Sequence, residues 1–171
     1  YWCPKCGTEF KMLGEGNTIK CLHCGNGATI DDTYEMHPFD SNCVIPETQT
    51  KWFNMERENV KREIQNPDFK LQEHVKIGFL PDDKMLKDQA TSIIRGEGIL
   101  TLDIKGLHFE GVKDEKPYNF NIPPKSLPTY GMCTDLSRFY TFLNGEFIEF
   151  YPDNRVVEKF FLATEEIHRL N

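Results

Sequence analysis

The chain has 171 residues, of which 39% are hydrophobic and 12% aromatic, enough to pack one domain or two small ones. Twenty basic against 27 acidic side chains leave a net charge of −7, which excludes the basic footprint that DNA, RNA or an anionic membrane selects. No apolar run approaches the roughly 20 residues of a membrane-spanning helix. The chain opens Tyr1-Trp2-Cys3, without Met and without an apolar leader, and so reads as a piece of something longer.

Four of the six cysteines form two pairs, Cys3-Pro4-Lys5-Cys6 and Cys21-Leu22-His23-Cys24, with fourteen residues between them. That is the spacing of a zinc ribbon. Two residues between thiolates let a tight turn bring both sulfurs to one metal at about 2.3 Å, and two such turns complete a tetrahedron. Gly7 and Gly25 each follow a pair, where the backbone must turn sharply. Residues 8–12 and 18–20 flank Gly14-Glu15-Gly16-Asn17 as a hairpin, and residues 28–30 offer a third strand. Neighbouring disulfides or a redox CxxC are the competing uses, but two matched pairs without a signal peptide point to one metal. Four thiolates leave no open coordination position, so the expected Zn2+ is structural, and it folds a ribbon that has little core of its own. His23 reads as a solvent-facing loop residue, and the leftover Cys43 and Cys133 as small buried hydrophobes.

After a connector ending at Pro46, residues 47–66 turn helical: Phe53, Val60 and Ile64 recur on one face with Trp52 beside them, and Asn66-Pro67 stops the helix. From Phe69 the period becomes two, with Leu71, Val75, Ile77 and Phe79 on one face, interrupted by Glu73. Residues 84–98 are ambiguous, with a strand at 92–95 and a helical turn at 86–90 as the two readings. Hairpins follow: residues 99–103 with 107–111 around Lys105-Gly106, then 118–122 ahead of Pro123-Pro124. Asn144-Gly145 between two aromatic strands is a type I′ turn signal. Pro152 and Asp153 open a last helix, capped by Asp153 or Asn154, whose Val156, Phe160 and Ile167 form a broad apolar face.

The fold expected is mainly β (α+β): an N-terminal zinc ribbon at 1–44, a connecting helix at 45–67, and at 68–171 an antiparallel β-barrel or sandwich closed by a C-terminal helix. That last order of elements resembles a pleckstrin-homology-like domain. A lipid-headgroup site in it needs clustered Lys and Arg. Here Lys84, Lys87 and Arg95 are diluted by Asp82, Asp83, Asp88 and Glu97. Residues 1–44 carry three Lys against six acids, a net charge of −3, which disfavours nucleic acid. The chain lacks GxSxG, P-loop, GxGxxG and HExxH motifs, so no catalytic or organic-cofactor residue is expected. His108, with Glu110 and Asp114 nearby in sequence, reads as a surface histidine, and Asp31-Asp32 and Asp82-Asp83 as turn acids.

The runs CPKCGTEFKM, IKCLHCGNGATIDDTYEM, WFNMERENVKREI, SLPTYGMCTDLSRFYTFLNGEFIEFYPD and ATEEIHRLN resemble the C-terminal extension of bacterial, mainly Gram-positive, 1-acyl-sn-glycerol-3-phosphate acyltransferase-like proteins. The resemblance spans nearly the whole chain. It implies a catalytic domain, N-terminal to this one, that works through a His-x4-Asp motif. Here Asn42, Phe79 and Lys113 stand five residues after His37, His74 and His108, so the motif does not carry over. The expectation is a non-catalytic regulatory or scaffolding tail of a phospholipid-synthesis acyltransferase. It would be cytoplasmic, brought to the inner face of the membrane by its parent, and would dock on its own catalytic domain or on another protein. The alternatives are a free-standing zinc-ribbon interaction module and, more weakly, a nucleic-acid-associated ribbon.

Overall fold

A computed structural model describes residues 1–81 and 92–171. The helical turn expected at 86–90 and the charges Asp82, Asp83, Lys84, Lys87 and Asp88 lie outside the described residues. The chain is mainly β and divides into two compact units, Tyr1–Val60 and Lys61–Asn171, each built on one antiparallel sheet. Among the described residues no helix is long and apolar enough to cross a membrane.

The first unit holds β1 (Met12–Glu15), β2 (Thr18–Cys21), β3 (Gly27–Ile30) and β4 (Met36–Pro38), hydrogen-bonded in that order. The β1–β2 hairpin closes on Glu15↔Thr18, with Gly16 at φ +56° in the turn. β1 starts at Met12 rather than residue 8, and an isolated Trp2↔Glu9 bridge occupies the stretch before it. β4 was not expected. It returns on β3 through a turn in which Asp31 Oδ1 accepts hydrogen bonds from the Thr33 and Glu35 backbone at 2.9 and 3.0 Å.

Helix α1 (Gln49–Glu63) is shorter than the expected 47–66. Thr48 begins it, its hydroxyl oxygen accepting from Lys51 N at 3.1 Å, the bond an N-cap residue makes. Trp52, Glu56 and Val60, four residues apart, form its buried face. A carboxylate in that row has a use: Glu56 Oε1 accepts from the backbone nitrogens of Tyr1 (2.7 Å) and Trp2 (2.9 Å), while Trp52 Nε1 donates to Trp2 O at 3.1 Å. The helix therefore holds the segment that leads into Cys3.

The second unit contains β5 (Lys70–Phe79), β6 (Ile93–Asp103), β7 (Gly106–Lys113), β8 (Lys116–Ile122), β9 (Gly131–Met132), β10 (Phe139–Leu143) and β11 (Glu146–Pro152), followed by α2 (Val157–Arg169). The sheet order is β8-β7-β6-β5-β11-β10-β9. The strand expected at 92–95 is present: β6 runs from Ile93, with a register shift against β5 between Ile77 and Gly78. Asn144 and Gly145, at φ +52° and +82°, make the expected type I′ turn, and Asp114 and Glu115, at +51° and +62°, make a second.

The sheet is not a closed barrel: among the described residues β8 and β9 are its free edges. It is nonetheless strongly curled. β8 and β11 stand four strand spacings apart, about 19 Å in a flat sheet, yet the Phe120 and Phe150 rings are 6.3 Å apart. Inside the curl Phe139 stacks on Phe150 (5.0 Å) and on Phe160 of α2 (5.7 Å), both nearly parallel. Lys113 Nζ lies 3.5 Å from the centre of the Phe79 ring and 2.9 Å from Glu146 Oε1, joining β7 to β5 and β11, neither of which it pairs with.

Curvature on this scale needs backbones that approach closely. Gly98 and Gly111 face each other across β6 and β7, and a Cβ on Gly111 would sit 2.3 Å from Glu97 O and 2.7 Å from Gly98 Cα. Glu73, which broke the alternation of β5, is buried and accepts from Asn154 N (3.1 Å) and Nδ2 (2.9 Å). Asp153 is likewise engaged, 2.8 Å from His74 Nδ1. The expected caps are thus spent on β5, Pro152 ends β11, and α2 begins later, at Val157, with no side-chain cap. Its buried side chains include the expected Phe160 and Ile167.

Candidate metal centre

Cys3, Cys6, Cys21 and Cys24 converge, with all four sulfurs within 4.8 Å of one another. Cys3 and Cys24 are 3.7 Å apart and Cys6 and Cys21 are 3.9 Å apart. Both gaps are far beyond a disulfide bond of about 2.05 Å. They fit a tetrahedron: sulfurs each 2.3 Å from a common centre lie about 3.8 Å from one another. The cluster can therefore hold one thiophilic metal ion with four protein ligands.

The two halves are built alike. Gly7 N donates to Cys3 O and Gly25 N to Cys21 O, each at 2.9 Å, and the glycines sit at φ +71° and +75°. A side chain there would be strained in the left-handed region, so glycine is what lets each turn close beneath its pair. Cys3 and Cys21 are fully buried, Cys24 is half-buried and Cys6 is exposed.

This difference in setting separates the thiols chemically. Burial pushes the Cys3 thiol up to about 12. Hydrogen bonds from the Thr8 side chain and backbone hold Cys6 down at about 5, and Thr8 Oγ1 is 3.3 Å from Cys6 Sγ. These settings favour the thiol at Cys3 and the thiolate at Cys6. His23 is exposed, its Nδ1 3.3 Å from Thr8 Oγ1, and it stays outside the sulfur cluster.

Asn26 was not foreseen. It is fully buried, and its Nδ2 donates to Val44 O at 2.9 Å and points to Cys3 Sγ at 3.7 Å, while Oδ1 accepts from Val44 N at 2.7 Å. Its position two residues after Cys24 was visible, but its partner lies eighteen residues on, beyond any local pattern.

The other singled-out residues do not join the cluster. Cys43 and Cys133 carry free thiols and are only half-buried, not the core hydrophobes expected. His108 lies on the face of β7 opposite Leu107 and Phe109, its Nε2 3.2 Å from Asp103 Oδ1, and Asp114 is held by Arg95 through two bonds of 2.9 and 2.6 Å. Asp31, Glu35 and His37 form a second, more exposed group, with His37 Nε2 2.6 Å from Asp31 Oδ2. The charge of the His37–Asp31 pair is mutual: hydrogen bonding to His37 holds Asp31 well below the usual carboxylate range, and hydrogen bonding to Asp31 raises His37. In the second unit a shallow groove is lined by Leu127, Tyr130, Phe161 and Thr164. Compared with known proteins, the chain matches no family and no curated sequence.

Proposed function

We propose that the chain is a non-catalytic accessory module whose first unit is a zinc ribbon. The observation that carries this reading is the set of four cysteine sulfurs within 4.8 Å of one another, two of the cysteines fully buried. Such a site holds its ion by protein ligands alone and offers no position to a substrate. Zinc suits it because an all-thiolate tetrahedron favours a soft-tolerant ion without geometric preference of its own, and the ion supplies cross-linking of two turns rather than reaction chemistry.

Among the described residues, seven antiparallel strands followed by one helix support a pleckstrin-homology-like reading of the second unit. The net charge of −7 favours a protein partner over phosphate-bearing ones. The parent proposed is a 1-acyl-sn-glycerol-3-phosphate acyltransferase-like protein, on the strength of the sequence resemblance, with the module working on the cytoplasmic side against the parent's catalytic domain or another protein.

Two measurements test this. Elemental analysis of the purified chain should return one zinc per chain, and none after Cys3→Ser with Cys21→Ser; a metal-free yet fully folded first unit overturns the ribbon. The chain alone should transfer no acyl group from acyl-CoA or acyl carrier protein to lysophosphatidate, and the reading frame upstream of Tyr1 should encode a His-x4-Asp motif. Transfer by the chain alone, or an upstream frame without that motif, overturns the accessory role.

A further inference from the structure

The buried amide of Asn26 does something no thiol does. Its Oδ1 accepts from Val44 N and its Nδ2 donates to Val44 O, so the side chain pairs with both backbone groups of one residue, as a neighbouring strand would. This two-way pairing fixes which end of the amide is which. The Nδ2 end is also the one aimed at Cys3 Sγ, 3.7 Å away. Asn26 is fully buried, and the three partners account for its polar atoms. Val44 itself is 49% exposed, so little apolar contact holds its segment in place.

One side chain thus touches a sulfur of the metal centre and the segment that leads, five residues later, into α1. An N–H donated to a sulfur stabilises the thiolate over the thiol, and groups that orient ligands in this way set much of a site's affinity. Its two bonds to Val44 hold the amide in the orientation that faces Cys3. From this we infer that Asn26 is a positioning residue coupling metal occupancy to the docking of the segment at Val44. The inference rests on the reading of the four cysteines as a metal site. By linkage the coupling runs both ways: a filled site steadies residue 44, and a docked residue 44 tightens the site.

The test perturbs each side of the amide and reads metal affinity by competition with a chromophoric chelator. Asn26→Asp keeps the acceptor for Val44 N but removes the donor and sets a carboxylate against Cys3; it should weaken metal binding about 10–100-fold. Val44→Pro touches no thiol; it removes the N–H that Asn26 receives and also fixes the backbone at 44 and restricts it at 43, so it should weaken binding by roughly fivefold or more, one net hydrogen bond being worth about that factor. A purely local packing role for Asn26 predicts no effect of Val44→Pro. Amide exchange on the metal-loaded wild-type and Asn26→Asp chains provides a readout independent of affinity, with faster exchange expected around residue 44 in the variant. Equal metal affinity in Asn26→Asp and wild type, or an unmoved affinity in Val44→Pro, overturns the coupling while leaving the metal site standing. A wild-type chain that binds no metal overturns both.

Discussion

Removing the metal should unfold the first unit and spare the second. Of the buried apolar side chains among the described residues, only Tyr1, Cys3, Cys21, Ala28, Trp52 and Val60 belong to Tyr1–Val60, and two of those are the site's own thiols. At about 0.05–0.15 kcal/mol per residue a unit of this length holds roughly 3–9 kcal/mol in total. A four-ligand structural zinc contributes about 10–16 kcal/mol at neutral pH, more than the whole of that. The two turns it ties together, at Gly7 and Gly25, set the start of the chain and the β2–β3 connection, so their release leaves strands of three or four residues without an anchor. The assay is built into the sequence: both tryptophans, Trp2 and Trp52, lie in the first unit, and Trp52 is only 6% exposed. Chelation should shift tryptophan emission to the red while the far-ultraviolet signal of the seven-stranded sheet persists. Unshifted emission from chain verified as metal-free would refute the reasoning, because the metal would then be dispensable to the packing around Trp52.

Gly111→Ala should destabilise the second unit by about 1–3 kcal/mol, since its Cβ would meet Glu97 O and Gly98 Cα rather than yielding side chains, and urea unfolding measures it. Gly14→Ala, whose Cβ would meet nothing closer than 4.0 Å, is the control. Metal loading should weaken as pH falls, because protons compete for the sulfurs and the buried Cys3 holds its proton up to about 12; calorimetry in buffers of different ionisation enthalpy should count fewer than four protons released near neutrality, Cys6 being already ionised. The His37–Asp31 pair should support the first unit most strongly between about pH 4 and 6.5, since Asp31, shifted down, loses its contribution as pH falls through its folded value, and His37, shifted up, loses its own as pH rises through its folded value. An NMR titration in which His37 keeps its raised midpoint after Asp31→Asn would contradict that pairing.

The site was legible in the sequence because metal chemistry imposes local spacing: two residues within each cysteine pair and a glycine after it. The Asn144-Gly145 turn was legible for the same reason, both positive φ angles lying in adjacent residues. What escaped depends on distant partners. Glu73 looked like a flaw in β5 until Asn154, 81 residues later, supplied two donors to it. Asn154 and Asp153 looked like helix caps, yet their polar groups are taken by β5, which delays α2 to Val157. Glu56 gave no local signal of its role, because its acceptor meets backbone nitrogens more than fifty residues away, at Tyr1 and Trp2. Nor can alternation along a strand say whether a sheet closes on itself, because closure depends on the pairing of β8 and β9, and each carries the same period either way.

Among the described residues, side chains span the gap of the curled sheet. Phe120 leans toward Phe150, and Lys113 spans to Phe79 and Glu146, while among the described residues no strand ladder joins β8 to β11 or β7 to β5 or β11. β8 can therefore peel away by breaking only its seam with β7, leaving every backbone hydrogen bond among the remaining six strands intact. In a closed barrel the same excursion would break two ladders at once. Native-state hydrogen exchange should accordingly find the β7–β8 pair opening as a separate, less protected piece ahead of β5, β10 and β11, giving the second unit a hinged wall over its aromatic interior.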